Sequence, residues 1–146
     1  MIGDIAEDFV LEDQNRNTFR LYDNLNRKIL LIFYPKDNTP VCTRQLSDYQ
    51  LNKRLFDTIG INLVGINTGS VESHNSFTGF CKVDFTVLSD PHKEVSQKYK
   101  ALNLFGINKR KLVLIGTDKK ILFEKNVLSF TYVSSNKLKE IFERIS

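Results

Sequence analysis

An α/β domain with a central mixed β-sheet and helices on both faces is what this sequence predicts, and three observations predict it. Short apolar runs alternate with segments of helical periodicity. One run, Ile29-Leu30-Leu31-Ile32-Phe33-Tyr34, is continuously apolar, as in a strand buried on both sides. Near the end, two strand-like runs are joined by a tight turn and followed by one amphipathic segment, which adds an antiparallel hairpin and a terminal helix.

The elements follow in order. Phe9-Val10-Leu11 and Thr18-Phe19-Arg20-Leu21 read as an N-terminal hairpin. After the run at 29–34, Ile61-Asn62-Leu63-Val64-Gly65-Ile66 and Phe85-Thr86-Val87-Leu88 read as the next strands. Leu112-Val113-Leu114-Ile115 pairs with Ile121-Leu122-Phe123 through the turn at 116–120. Helices are marked by their starts. Ser70 caps one that runs through Val71, His74, Phe77 and Cys81. Asp90-Pro91 reads as a cap and first-turn proline of another, through Val95 and Tyr99. Leu138, Ile141, Phe142 and Ile145 repeat at i, i+3, i+4, i+7 behind a cap at Ser134 or Ser135. This order is the thioredoxin-like arrangement; the pattern by itself also fits other α/β folds.

Composition narrows the function. The chain has 146 residues, enough for one domain (1–146) that buries roughly two thirds of its unfolded surface without disulfide staples. Hydrophobic residues are 41% and charged residues 26%, a globular balance. No apolar run approaches a membrane span, and the start lacks a secretory pattern, so the cytosol is the expected compartment. The net charge of +4 is scattered apart from Lys109-Arg110-Lys111 and Lys119-Lys120, which argues against a nucleic-acid surface. Two cysteines and two histidines without Cys-x-x-Cys or His-x-x-x-His spacing argue against zinc, and no cofactor is expected. His74 and His92 read as helix-surface or capping residues.

The chemistry sits in Phe33-Tyr34-Pro35-Lys36-Asp37-Asn38-Thr39-Pro40-Val41-Cys42-Thr43. A buried strand ends, a short loop follows, and Thr39-Pro40 matches a cap and first-position proline. Cys42 is then the third helical residue, among backbone N–H groups without intrahelical partners and at the positive end of the helix dipole. Both favour thiolate over thiol and so make a nucleophile. The alternative is that Cys42 is a small buried hydrophobe.

Pro35, Thr39 and Cys42 match the Pro-x-x-x-Thr-x-x-Cys signature of the peroxiredoxins, and the block 33–43 resembles the bacterioferritin comigratory protein, or peroxiredoxin Q, branch. The likeness continues through Gly65-Ile66, Ser70-Val71-Glu72-Ser73-His74 with Phe77, Leu88-Ser89-Asp90, Phe105-Gly106-Ile107 and Arg110. The resemblance implies a thiol peroxidase that reduces hydrogen peroxide and organic hydroperoxides through a sulfenic acid on Cys42. It implies that Thr39 offers its hydroxyl to peroxide and sulfur, that Pro35 shields the loop, and that Arg110 stabilises the thiolate and the polarised O–O bond. It further implies regeneration by thioredoxin or a glutathione/glutaredoxin-type thiol, and a monomer. Taken singly, Thr39 is also an ordinary cap, Pro35 a strand end and Arg110 a surface charge.

The chain departs from those relatives at the second thiol. Ser47 stands five residues after Cys42, and Thr78 follows Phe77, where relatives place a resolving cysteine. The remaining thiol, Cys81, is one helical turn beyond Thr78. Either Cys81 resolves Cys42 after local unwinding, or it is a core residue and an external thiol attacks the sulfenate. Val41 stands where relatives often carry glycine. A disulfide oxidoreductase is disfavoured, since Cys42-Thr43-Arg44-Gln45 lacks a second cysteine. A glutathione-peroxidase-like enzyme is disfavoured by the lack of tryptophan. A non-enzymatic redox sensor using Cys42 is the alternative function.

Overall fold

A computed structural model describes residues 2–37, 39–128 and 131–145, with the side chains of 80 and 81 excepted. Its seven strands are β1 (Val10–Asp13), β2 (Thr18–Arg20), β3 (Lys28–Phe33), β4 (Ile61–Asn67), β5 (Thr86–Ser89), β6 (Arg110–Ile115) and β7 (Ile121–Val127). Its helices are α1 (Pro40–Leu51), α2 (Lys53–Thr58), α3 (Val71–Cys81), α4 (Glu94–Lys98) and α5 (Ser135–Ile145). The strands lie in one mixed sheet in the order β2-β1-β5-β4-β3-β6-β7. β3, β4 and β5 run parallel, and β6 joins β3 antiparallel, bringing β7 to one edge and β1–β2 to the other.

Strand alternation divides the core. Leu30 and Ile32 of β3 face the layer of Leu46, Tyr49, Phe56, Phe77, Leu138 and Phe142, which come from α1, α2, α3 and α5. Ile29, Leu31 and Phe33 face Phe9, Leu21, Leu25, Val95 and Tyr99, from the N-terminal segment, a 3-10 turn at 21–24 and α4. Helices therefore cover both faces, as expected, with most of them on one.

Several elements differ from expectation. Pro91 does not open a helix: Lys93 adopts a left-handed conformation at φ 62° and α4 starts only at Glu94. Asp90 still caps that helix from a distance, its buried carboxylate accepting from the N–H groups of Val95 (3.4 Å) and Ser96 (2.7 Å). β7 extends to Val127 because it pairs along all of β6, and its polar Glu124-Lys125-Asn126 suits a half-exposed edge. α2, which no pattern announced, follows α1 after Asn52, whose side chain donates to Asp48.

At α5, Ser134 accepts from the Lys137 N–H at 3.3 Å, and Ser135 donates to Asp48 of α1 through its N–H and hydroxyl (3.0 and 2.8 Å). No helix among the described residues is long and apolar enough to cross a membrane. Asp90→Ala strands two buried amide donors and is expected to destabilise the fold by about 1–3 kcal/mol, read as a lower urea midpoint at unchanged slope.

Candidate active site

β3 delivers the chain to the site. Beyond Phe33, the Tyr34 N–H still bonds Ile66 O of β4 at 3.3 Å, and the loop then turns away from the sheet. Thr39 is extended (φ −89°, ψ 151°), Pro40 occupies the first turn, and Cys42 is the third helical residue. The Thr39 hydroxyl does not cap the helix as expected. It donates to Lys36 O at 3.1 Å, bracing the loop and leaving the first-turn N–H groups free of it.

Cys42 is fully buried, and its sulfur accepts from the Arg110 Nη2 at 3.1 Å. Arg110 is the first residue of β6 rather than a residue before it, and it is 1% exposed. The two-residue period of β6 puts Arg110 with Leu112 and Leu114 on the α1 face, while Lys111 turns to the other face and bonds Tyr99 O and Glu124. Arg110 also donates from Nη1 to Gln45 Oε1, one turn along α1 from Cys42. Gln45 Nε2 donates to the Tyr49 hydroxyl at 3.3 Å, which donates to Val133 O at 2.6 Å. Burial, chiefly, pushes the Tyr49 phenol well above its ordinary range, so it remains a donor.

Pro35 and Arg110 line one cavity of about 430 Å³, with Ile107, Val127 and Leu128 among its apolar walls. Of the expected site residues, Cys42 and Arg110 thus touch, Pro35 stands at the same cavity as Arg110, and Thr39 braces the loop one turn before the sulfur. Cys81 is the last residue of α3; its side chain lies outside the described residues. Ser47 is half-buried, and Thr78 is buried with its hydroxyl donating to Asn75 O.

The loop has a second buried anchor. Asp37 is 6% exposed and accepts from the Tyr34 hydroxyl (2.6 Å), the Ser73 hydroxyl (2.5 Å) and His74 Nδ1 (2.7 Å). His74 is therefore neither a surface nor a capping side chain: it is fully buried and faces Asp37. Burial raises the Asp37 carboxyl, but the hydrogen bonds from His74, Ser73 and Tyr34 outweigh it and hold the group below its ordinary range. Sequence reasoning missed Gln45, Tyr49, Asp37 and Ser73. Gln45 and Tyr49 sit three and seven residues after Cys42, the spacing of one helix face, which was their available signal. Among the described residues no group of three or more His, Cys, Asp or Glu is placed to hold a metal ion.

Comparison with known proteins decides the family. Residues 2–123 match the model of the AhpC/TSA family. The chain belongs to the AhpC/TSA family. The chemistry of that family is thiol-dependent peroxide reduction. This family member is 35% identical over 100 residues to a Helicobacter pylori protein assigned as peroxiredoxin bcp, covering 68% of this chain and 66% of that one. It is 29% identical over 131 residues to the chloroplastic peroxiredoxin Q of Triticum aestivum, covering 89% of this chain and 58% of the relative. The chain therefore spans less than two thirds of the length of these curated relatives. Its backbone matches the crystal structure of peroxidoxin BcpB from Mycobacterium tuberculosis with a TM-score of 0.87 at 28% identity, over 99% of this chain and 97% of that one. The branch that the block 33–43 resembles is the one these relatives name, and the thioredoxin-like peroxiredoxin fold is theirs too.

The lowered Asp37 carboxyl sets a sign for pH dependence. Its network stabilises the folded state fully above the carboxylate range of the unfolded chain, and that contribution disappears as pH falls through the lowered value. Asp37→Asn is expected to unfold more easily than the unaltered protein at neutral pH, with the difference closing in acid. Urea unfolding followed by circular dichroism across the acid range checks it; a gap that widens toward low pH contradicts the assignment.

Proposed function

We propose that this chain is a thiol peroxidase in which the Cys42 thiolate attacks a peroxide oxygen and becomes a sulfenic acid. The observation that carries the reading is the contact between the buried Arg110 guanidinium and the Cys42 sulfur at 3.1 Å. A permanent cation out of water favours negative charge beside it, so it favours the charge that the transition state spreads over sulfur and both oxygens. The first-turn N–H groups of Val41 and Cys42 add fixed donors. The Thr39 hydroxyl holds the loop and, in this reading, turns toward peroxide, and Pro35 shares with Arg110 the cavity beside that cation. The apolar walls at Ile107, Val127 and Leu128 suit organic hydroperoxides as well as hydrogen peroxide.

Cys42→Ser is expected to abolish peroxide turnover with the fold intact, because an alcohol is a far weaker nucleophile at neutral pH. Arg110→Ala is expected to slow the consumption of Cys42 by peroxide by about 10²-fold or more, the range for losing one preorganised donor. Lys109→Ala should leave that rate unchanged, so competition kinetics against a haem peroxidase with the three variants separates catalytic cation from general basic charge.

For the second half-reaction we assign Cys81 as the resolving thiol and a thioredoxin-type protein as the electron source. Supporting this, Cys81 is the other of the chain's two cysteines and closes α3, where Lys82 turns left-handed at φ 55° and a methyl group added at Gly79 would meet nothing within 4 Å. Mass spectrometry after one equivalent of peroxide is expected to show a Cys42–Cys81 disulfide. A persistent Cys42 sulfenate would instead assign regeneration to an external thiol. A redox sensor uses the same sulfenate; sustained turnover with a reductant distinguishes the enzyme from it.

A further inference from the structure

We propose that Asp37 and His74 form a clamp between the Cys42 loop and helix α3, holding the site closed for attack on peroxide and setting how readily it opens to the second thiol. The proposal rests on Cys42 as the reacting thiol. In the first step the thiolate forms an S–O bond, the O–O bond breaks, and the leaving alkoxide or hydroxide takes a proton to depart as alcohol or water. In the second step an incoming thiolate forms an S–S bond to the sulfenic sulfur, the S–O bond breaks, and the hydroxide leaves as water once protonated. The two steps make opposite demands. A peroxide is small, and a cavity of about 430 Å³ lies beside Arg110, which touches the sulfur. A protein thiol cannot reach a sulfur that is fully buried, so the loop and the first turn of α1 must move for it.

Asp37 resists that movement. It lies five residues before Cys42, in the segment that must open. Its carboxylate, 6% exposed, accepts from Ser73 and His74 of α3 at 2.5 and 2.7 Å, across 36 and 37 residues of chain. Lifting the loop off α3 breaks both bonds and leaves a charged acceptor short of partners. His74 has no ready replacement: its ring is fully buried, and Nε2 has no hydrogen-bond partner among the described residues. Gly69 also lies close to the pair: a methyl group there would stand 3.2 Å from the ring Cε1 and 3.7 Å from Asp37 Oδ2. The helix gripped in this way is the one that ends at Cys81, so a single contact governs both cysteine-bearing segments. Asp37 and His74 act on the reaction through Cys42 and are positioning residues.

The two steps are measured separately in a Cys81→Ser background. Competition kinetics gives the rate at which peroxide oxidises Cys42, and thionitrobenzoate, a coloured thiol, gives the rate of attack on the sulfenate. Asp37→Asn and His74→Ala are expected to slow the first roughly tenfold and to speed the second roughly tenfold, the factor for one lost hydrogen bond to a charged group. His74→Asn, which keeps a donor where Nδ1 stands, should restore both rates. General damage to the fold would not be mended by that one donor. If the two large-effect variants do not fold, Ser73→Ala decides alone: it should shift both rates in the same opposed directions and speed amide exchange in 35–43 and 71–78 but not in α5. Unchanged rates, rates that fall together, or His74→Asn behaving as His74→Ala overturn the clamp. Failure of the underlying reading looks different: Cys42→Ser still consumes peroxide, or no sulfenate is trapped.

Discussion

Arg110 holds its guanidinium at 1% exposure within the apolar layer beneath α1, and much of the site follows from that fact. A permanent cation removed from water is costly unless its donors find acceptors. Cys42 and Gln45, one turn apart on α1, supply two of them, so the helix must start where it does and present that face to β6. Gln45 in turn requires Tyr49, and Tyr49 requires the carbonyl of Val133 ahead of α5. A charge on one strand thereby fixes the seating of two helices.

Sheet order makes this meeting possible. The sulfur and the guanidinium belong to residues 68 apart in sequence. They meet because β3 and β6 are antiparallel neighbours, so the end of β3, from which the loop and α1 emerge, lies beside the start of β6. On the other side of β3, β4 runs parallel and ends near α3, which places Ser73 and His74 against the same loop. The two flanking strands thus bring the site its cation on one side and its anchor on the other.

Legibility in the sequence followed the range of the interactions. The apolar run of β3, the extended Thr39 and the helical position of Cys42 depend on neighbouring residues and were readable. Arg110 was found through resemblance, since the basic triplet 109–111 by itself does not say which of its members turns inward. Asp90 shows the same limit: its chemistry as a cap was legible, but Lys93 turning left-handed, which delays the helix, was not. The burial of His74 is not legible because its partner, Asp37, is remote in sequence and meets it only when α3 packs on the loop. β7 was cut short because an edge strand carries polar residues that look like a turn.

The hydroxyl of Tyr34, 2.6 Å from the Asp37 carboxylate, gives the molecule an optical property. The chain has five tyrosines and no tryptophan, so its ultraviolet emission is tyrosine emission alone. A phenol bonded to a carboxylate loses much of its fluorescence by passing its proton across that bond in the excited state. Tyr34 is therefore expected to be quenched while the loop is seated and to brighten when Asp37 leaves it. The light emitted by the unlabelled protein then carries, beside that of its four other tyrosines, a signal from its own active-site loop.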